Sequence, residues 1–153
     1  MEKKILFVGA EAMPFAATGG LGDVLGSLPA AIRKKGGKNV DVRVVLPLYG
    51  AMGQTWRDQL VDEAEFRLNL AWRNQFCGIK SLVKDGVTFY FVENDYYFNR
   101  PSLYGNFDDG ERYAFFSRAV LEILPYIDFK PDIIHCNDWQ TALTPVYYST
   151  IYA

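Results

Sequence analysis

The sequence predicts a doubly wound α/β fold, a mostly parallel sheet covered by helices with an antiparallel hairpin region, and three observations carry that expectation. Lys4-Ile5-Leu6-Phe7-Val8-Gly9 is a short, nearly continuous apolar run, the pattern of a central strand buried on both faces. Beyond a loop from Ala10 to Thr18 and the pair Gly19-Gly20, Leu21, Val24, Leu25, Leu28, Ala31 and Ile32 recur at helical spacing, until Lys34-Lys35-Gly36-Gly37 supplies cations and a glycine stop. Val40 to Leu46 is a β-branched run closed by Pro47, so strand, crossover helix and parallel strand complete a βαβ unit.

The middle of the chain changes character. Glu65 to Ala71, Phe76 to Val83 and Val87 to Val92 are strand-length pieces, and Lys84-Asp85-Gly86 is a hairpin-type turn between the last two, which predicts antiparallel pairing there. Asp109-Gly110-Glu111 introduces a second long helix with Tyr113, Phe116, Ala119, Val120 and Ile123 on one broad face. Pro131 to Cys136 reads as a further strand, followed by Asn137-Asp138-Trp139 and a helical run through Ala142, Leu143 and Val146. In a sheet of this kind ligands sit beyond the carboxyl ends of the strands, so the loops after Val8 and Cys136 are the places where chemistry is expected.

Composition narrows the class of partner. The 153 residues, half of them hydrophobic, suffice for one domain with a single core. Lys and Arg number 16 against 18 Asp and Glu, which provides no broad basic field for nucleic acid or an anionic membrane. Cys77 and Cys136 have neither metal-ligand spacing nor a disulfide framework, so they are expected to be free thiols in or near the core of a cytoplasmic protein. No apolar run approaches the roughly 18 residues of a membrane span, and Met1-Glu2-Lys3-Lys4 runs into a strand rather than a cleavable signal. His135, the sole histidine, is expected in the core of its strand, and no triad or metal cluster assembles around it.

Thr18-Gly19-Gly20-Leu21-Gly22-Asp23 stands at the joint of the first strand and its helix. Glycine lets backbone N–H groups approach an anion, and the positive end of the helix stabilises phosphate; the same residues also make an ordinary tight turn. The run lacks the Gly-Lys-Ser/Thr ending of a Walker loop and the spacing of the dinucleotide fingerprint.

The stretch Phe7 to Val24, with Glu11, Pro14 and Thr18-Gly19-Gly20-Leu21-Gly22-Asp23-Val24, resembles the opening of the glycogen and starch synthases, glycosyltransferase family five, whose pattern is E-x-x-P-x-x-K-T-G-G-L-x-D-V. The likeness continues through Gly26-Ser27-Leu28-Pro29-Ala30-Ala31, Val44-Val45-Leu46-Pro47-Leu48-Tyr49, Tyr97-Phe98-Asn99-Arg100-Pro101, Leu103-Tyr104-Gly105, Asp108 to Tyr113 and His135 to Leu143. These islands keep the family's order over nearly the whole chain. Two positions depart from it: Ala17 stands where the family usually has a lysine implicated in binding the donor's phosphates, and Gln140 where many members have a histidine thought to contact the donor glucose.

The resemblance implies that residues 1–153 form the Rossmann-like N-terminal half of a two-domain GT-B fold, with the C-terminal nucleotide-binding domain outside this chain. It implies transfer of glucose, with retention, from ADP-glucose or UDP-glucose to the non-reducing end of an α-1,4-glucan, with no cofactor and no metal. The chain's own C-terminal domain is then its partner, and the chain alone is expected to be inactive. Ala17, Thr18, Gly19, Gly20, Asp23 and Gln140 form the expected donor-binding group, and Tyr97, Tyr104 and Asp108 the acceptor-binding group. Asp108 and Gln140 are catalytic candidates here, the main catalytic groups being expected in the other domain. From the residues alone, Asp23 equally complements a helix N-terminus, Asp138 is better placed as a helix cap than in the cleft, Trp139 fits the core better than a sugar-stacking role, and an i,i+4 pair with Arg112 is the structural alternative for Asp108. Tyr96, Tyr97, Tyr104 and Phe107 either line a glucan path or cap the sheet. Sucrose-forming and trehalose-forming relatives lack the combined Thr-Gly-Gly-Leu and Asn-Asp-Trp-Gln surroundings, whereas a noncatalytic glucan-binding or regulatory module remains compatible with Ala17.

Overall fold

A computed structural model describes residues 1–152 of the chain. Strand β1 (Lys3–Val8) feeds helix α1 (Gly20–Gly36), which returns to β2 (Val40–Pro47). A short helix α2 (Gln54–Arg57) precedes the antiparallel strands β3 (Val61–Leu70) and β4 (Arg73–Lys84), then β5 (Val87–Glu93), the one-turn helix α3 (Asp95–Phe98) and α4 (Asp109–Glu122). The chain closes with β6 (Ile133–Cys136), a 3-10 turn at Trp139–Thr141, α5 (Leu143–Tyr147) and a π-helical turn at Tyr148–Tyr152.

All six strands form one sheet in the order β3-β4-β5-β2-β1-β6. β1 pairs in parallel with β2 and β6, and β2 with β5, while β4 runs antiparallel to both β3 and β5. The expected doubly wound sheet with its hairpin region is therefore present. α1 covers one face, burying Leu25 against Phe7, Val42, Val44, Phe89 and Phe91; α4 covers the other, where Tyr113, Phe116, Ala119 and Val120 join Leu6, Val8, Val45, Tyr90 and Val92. Alternate residues of each central strand thus enter opposite cores, which is why β1, β2 and β5 read as continuous apolar runs. Burying each such Leu, Val or Phe stabilises the fold by about 1.5–3 kcal/mol, so the two cores fix the direction of the strands and hence of their carboxyl edge.

The β4–β5 turn was legible because Asp85 (φ 54°) and Gly86 (φ 75°) both take the left-handed conformation that a two-residue hairpin requires. The β3–β4 turn was not: a loop of four residues was expected between Ala71 and Phe76, yet only Ala71 and Trp72 separate the strands, and Ala71 takes φ 53° without glycine's freedom. Among the described residues β6 pairs only with β1, and His135 does not show the expected burial there; it is exposed, with its ring on Phe7 at 4.9 Å between centroids. Cys77 is buried and Cys136 partly buried, both as free thiols, and burial pushes the Cys77 thiol up to about 12, which leaves it protonated and inert. No helix among the described residues is long and apolar enough to cross a membrane.

Candidate functional site

The loops after β1, β5 and β6 meet beyond the carboxyl edge of the parallel strands. The first is held down by Phe15, whose ring packs edge-on against Trp56, Phe89 and Phe91 at 5.1, 4.9 and 5.3 Å. Anchored there, the chain turns through Ala17, Thr18, Gly19 and Gly20, all exposed, into the first turn of α1. The N-cap of that helix is Gly19, which offers no side-chain hydrogen bond. The amides of Gly19, Gly20 and Leu21 donate to no group among the described residues, and a β-carbon built on Gly19 or Gly20 would meet nothing within 4 Å. Three donors without a partner and the positive end of a 17-residue helix therefore lie together at a bend with no side chain over Gly19 or Gly20. Gly22 serves the opposite purpose: a β-carbon there would stand 2.5 Å from Ala17 Cβ, so the bend lies against the helix only because position 22 has no side chain.

Thr18 behaves differently from its neighbours. Its N–H points inward and donates to Glu11 Oε1 at 2.6 Å, and its hydroxyl donates to Glu11 Oε2 at 3.0 Å. The Tyr104 hydroxyl donates to the same Oε2 at 2.6 Å and accepts from Gln140 Nε2 at 2.9 Å. Glu11 and Gln140 are 4% and 3% exposed, so this chain of hydrogen bonds ties three loops together beneath the surface. Burial, reinforced by the bond to Glu11, pushes the Tyr104 phenol far above its ordinary range and keeps it a donor. Gln140 Oε1 is buried without a partner. The backbone carbonyl of Gln140 accepts from Ser117 on α4, and Asn137 bonds back to the Val8 carbonyl, which fixes the third loop against β1.

The remaining expected residues divide into those that reach solvent and those that do not. Asp23 is exposed in the first turn of α1, suited to the helix dipole. Asp138, at φ 66°, caps the 3-10 turn by accepting from the Trp139 N–H at 2.7 Å. Trp139 departs from the expected core position among the described residues: it is half exposed, with its ring edge on Tyr113 at 5.3 Å. Tyr97 is wholly buried with its hydroxyl on Glu111, so it faces no ligand in this arrangement. Tyr96 and Phe107 are exposed.

Asp108 does not pair with Arg112. It makes a two-pronged bridge to Arg100, with Arg100 Nη2 donating to Oδ2 at 2.8 Å, while Arg112 pairs with Asp109 at 2.8 Å. Arg100 holds the Asp108 carboxyl below the usual aspartate range. A carboxyl depressed in the folded state adds stability that is complete above its unfolded pKa and disappears as pH falls through its folded pKa. Asp108→Asn is accordingly expected to melt below the wild type at pH 7, with the gap closing below about pH 3.5. Thermal melts from pH 7 to 3 check this, and a gap independent of pH would refute it.

The apolar cavities lie elsewhere. One of about 410 Å³ opens beside β6 between Leu121, Leu124, Phe129, Ile134, Tyr148 and Tyr152, toward the amino end of that strand. It has none of the site's hydrogen-bonding groups. Among the described residues no group of His, Cys, Asp and Glu side chains could hold a metal ion.

The sheet, with helices on both faces and a glycine bend opening from its first strand, matches the Rossmann-like half of a GT-B glycosyltransferase fold. The family profile of the starch synthase catalytic domain matches residues 4–153, and the chain belongs to that family. It is 52% identical over 142 residues to a glycogen synthase of Anoxybacillus flavithermus, covering 93% of this chain and 29% of that protein. A glycogen synthase of Clostridium novyi is 53% identical over 141 residues, covering 92% and 29%. The solved catalytic domain of starch synthase IV from Arabidopsis thaliana, bound to ADP and acarbose, superposes with a TM-score of 0.89 at 34% identity, over 100% of this chain and 31% of that one. The chain thus spans about three tenths of the length of the relatives it matches.

Sequence reasoning singled out the glycine bend and Tyr104 but missed Glu11 as the group that joins them. The motif contained the glutamate, yet nothing in its spacing says that a carboxylate seven residues before Thr18 bonds to that amide and to a tyrosine 93 residues away.

Proposed function

We propose that this chain supplies the N-terminal half of a retaining glucosyltransferase, a glycogen or starch synthase that moves glucose from ADP-glucose or UDP-glucose to the non-reducing end of an α-1,4-glucan. The observation that supports this most is the set of unpartnered amides at Gly19, Gly20 and Leu21, at the carboxyl edge of the sheet of a chain that belongs to this family. Departure of a nucleoside diphosphate places negative charge on phosphate oxygens, and fixed amide donors stabilise that charge without reorganising. Thr18 shapes the bend, Asp23 stands at its rim, and Gln140 holds Tyr104 toward the acceptor side. Asp108, paired with Arg100, is proposed to shape the acceptor loop, with Tyr104 as the aromatic that meets the glucan; Tyr97 supports it from within the core. Cations for the diphosphate and the principal catalytic groups are proposed to come from a C-terminal nucleotide-binding domain that closes over this one. The proposed setting is the cytoplasm.

A noncatalytic glucan-binding or regulatory module is the second reading, favoured by Ala17, since the loop from Gly9 to Leu21 contains no lysine or arginine. Incorporation of labelled glucose from ADP-glucose into glycogen separates the two. The 153-residue chain alone is expected to show no transfer, and the same chain joined to a C-terminal domain of a relative is expected to show it. A joined protein that binds glycogen and ADP-glucose yet transfers nothing would overturn the enzyme reading.

A further inference from the structure

We infer that Glu11 is the positioning residue of the phosphate-binding bend, turning the Gly19, Gly20 and Leu21 amides outward by holding Thr18 inward, and that it shares this work with Tyr104. The inference rests on the proposed nucleotide-sugar reading and adds a residue that touches neither donor nor acceptor.

A carboxylate that is 4% exposed forfeits much of its hydration, and a fold retains one only where donors replace the water. Glu11 has three: the Thr18 amide, the Thr18 hydroxyl and the Tyr104 hydroxyl. All three are neutral, so the site is no ion pair. Bonds from neutral donors to a carboxylate are stronger and shorter than those between neutral groups, and the 2.6 Å distances to Thr18 N and Tyr104 Oη fit that class. Thr18 is thereby fixed at both its backbone and its side chain to one group. A residue clamped twice leaves the following glycines little freedom, although they are the residues with the most to lose on ordering. The free amides begin at the next residue, so the direction of the Gly19 N–H is set by where Thr18 is held. Ala17 bears on the bare face of Gly22 from the other side, so the bend is gripped between α1 and Glu11.

Replacement by Gln tests the chemistry with little change of shape. An amide has one acceptor oxygen and brings an NH2 that must meet either the Thr18 N–H or the Tyr104 and Thr18 hydroxyls. In the first case the Thr18 N–H loses its acceptor; in the second the hydroxyls must turn to accept, and every bond loses its charge assistance, so the tether to Thr18 is weakened either way. With the 15N-labelled chain titrated with ADP, shifts at the Gly19, Gly20 and Leu21 amides report the affinity of the bend itself. Wild type is expected to move those amides, and Glu11→Gln to weaken ADP about fivefold. Val87→Ala, a core lesion at the amino edge of β5, serves as the control: it lowers the melting temperature while leaving ADP affinity unchanged well below the transition, whereas a merely structural Glu11 would behave the same way. If Glu11→Gln does not fold, Tyr104→Phe and Thr18→Val each remove one donor to the carboxylate, and each is expected to weaken ADP about twofold. Full ADP affinity in Glu11→Gln, or in both substitutes, overturns the positioning role while leaving the functional reading intact. ADP that leaves the wild-type amides unmoved even when the labelled chain is joined to a C-terminal domain of a relative overturns that reading and the inference together.

Discussion

Replacing Arg112 with Met is expected to lower the melting temperature by about 10 °C or more, the largest stability effect of any substitution near the site. Arg112 has no exposed surface. Its Nε donates to the Tyr97 carbonyl at 2.6 Å, and Nη1 donates to the Leu103 carbonyl and to Asp109 Oδ1, both at 2.8 Å. The guanidinium also lies 5.4 Å from the ring centroid of Phe98 and 5.3 Å from that of Tyr113. One side chain therefore joins α3, the loop carrying Tyr104 and the first turn of α4. Met matches much of the volume but has no donor, so the Tyr97 carbonyl loses the guanidinium outright, while the Leu103 carbonyl keeps only the Tyr113 hydroxyl and Asp109 only the Gly105 and Asn106 amides. Removing one member of a fully buried pair costs about 3–5 kcal/mol, an upper bound here because Asp109 is 21% exposed and keeps two amides, and the orphaned Tyr97 carbonyl adds about 1–3 kcal/mol before relaxation or water entry recovers part of it. A domain of this size shifts by roughly 2–4 °C for each kcal/mol. Differential scanning calorimetry reads the result, and a loss under about 3 °C would mean that water replaces the guanidinium at no great cost. The functional consequence follows from geometry: Leu103 precedes Tyr104, so a Leu103 carbonyl held by the Tyr113 hydroxyl alone gives the Tyr104 hydroxyl that bonds to Glu11 more freedom.

That dependence was invisible in the sequence, although much of the scaffold was not. β1, α1 and β2 were readable to within a residue or two because β1 and β2 are apolar runs closed by Gly9 and Pro47, and α1 has a helical period bounded by Gly19-Gly20 and Gly36-Gly37. The β4–β5 hairpin was readable from Asp85-Gly86, since few residue pairs accept two positive φ angles. The Ala71-Trp72 turn was hidden because it uses neither glycine nor asparagine, and α2 and α3 were hidden because one turn of helix contains too few residues to show a period. For the site, the residue types were legible but their partners were not. Arg112 was expected to bridge to Asp108 by spacing, yet the spacing of i,i+4 pairs says nothing of Arg100, which reaches Asp108 from the preceding loop and leaves Arg112 to turn inward. Glu11 and Gln140 meet Tyr104 only through the folding of the whole sheet.

Ala17→Lys is expected to tighten ADP about tenfold at low salt, a gain of about 1.4 kcal/mol, and Ala17→Gln to leave it unchanged. Position 17 is exposed immediately before Thr18, and the side chain of lysine is long and flexible enough to follow an anion placed over the free amides. The amides supply partial charge in fixed directions; the ammonium adds a full charge whose attraction to a phosphate at about 4 Å is on the order of 1–4 kcal/mol between bulk-water and surface dielectric. Side-chain ordering removes part of this, which is why the expected gain lies at the lower end. The neutral Gln variant separates charge from side-chain bulk, and raising the salt toward 1 M should erase the advantage of Lys while sparing the amide contribution, because the screening length falls to about 3 Å. Equal affinities for Lys and Gln at low salt would mean that the phosphates do not lie over this bend. A gain that appears in the chain alone but vanishes when a C-terminal domain is joined would instead mean that a cation from that domain already occupies the place, and the absence of lysine at position 17 would then be a consequence of compensation rather than of lost activity.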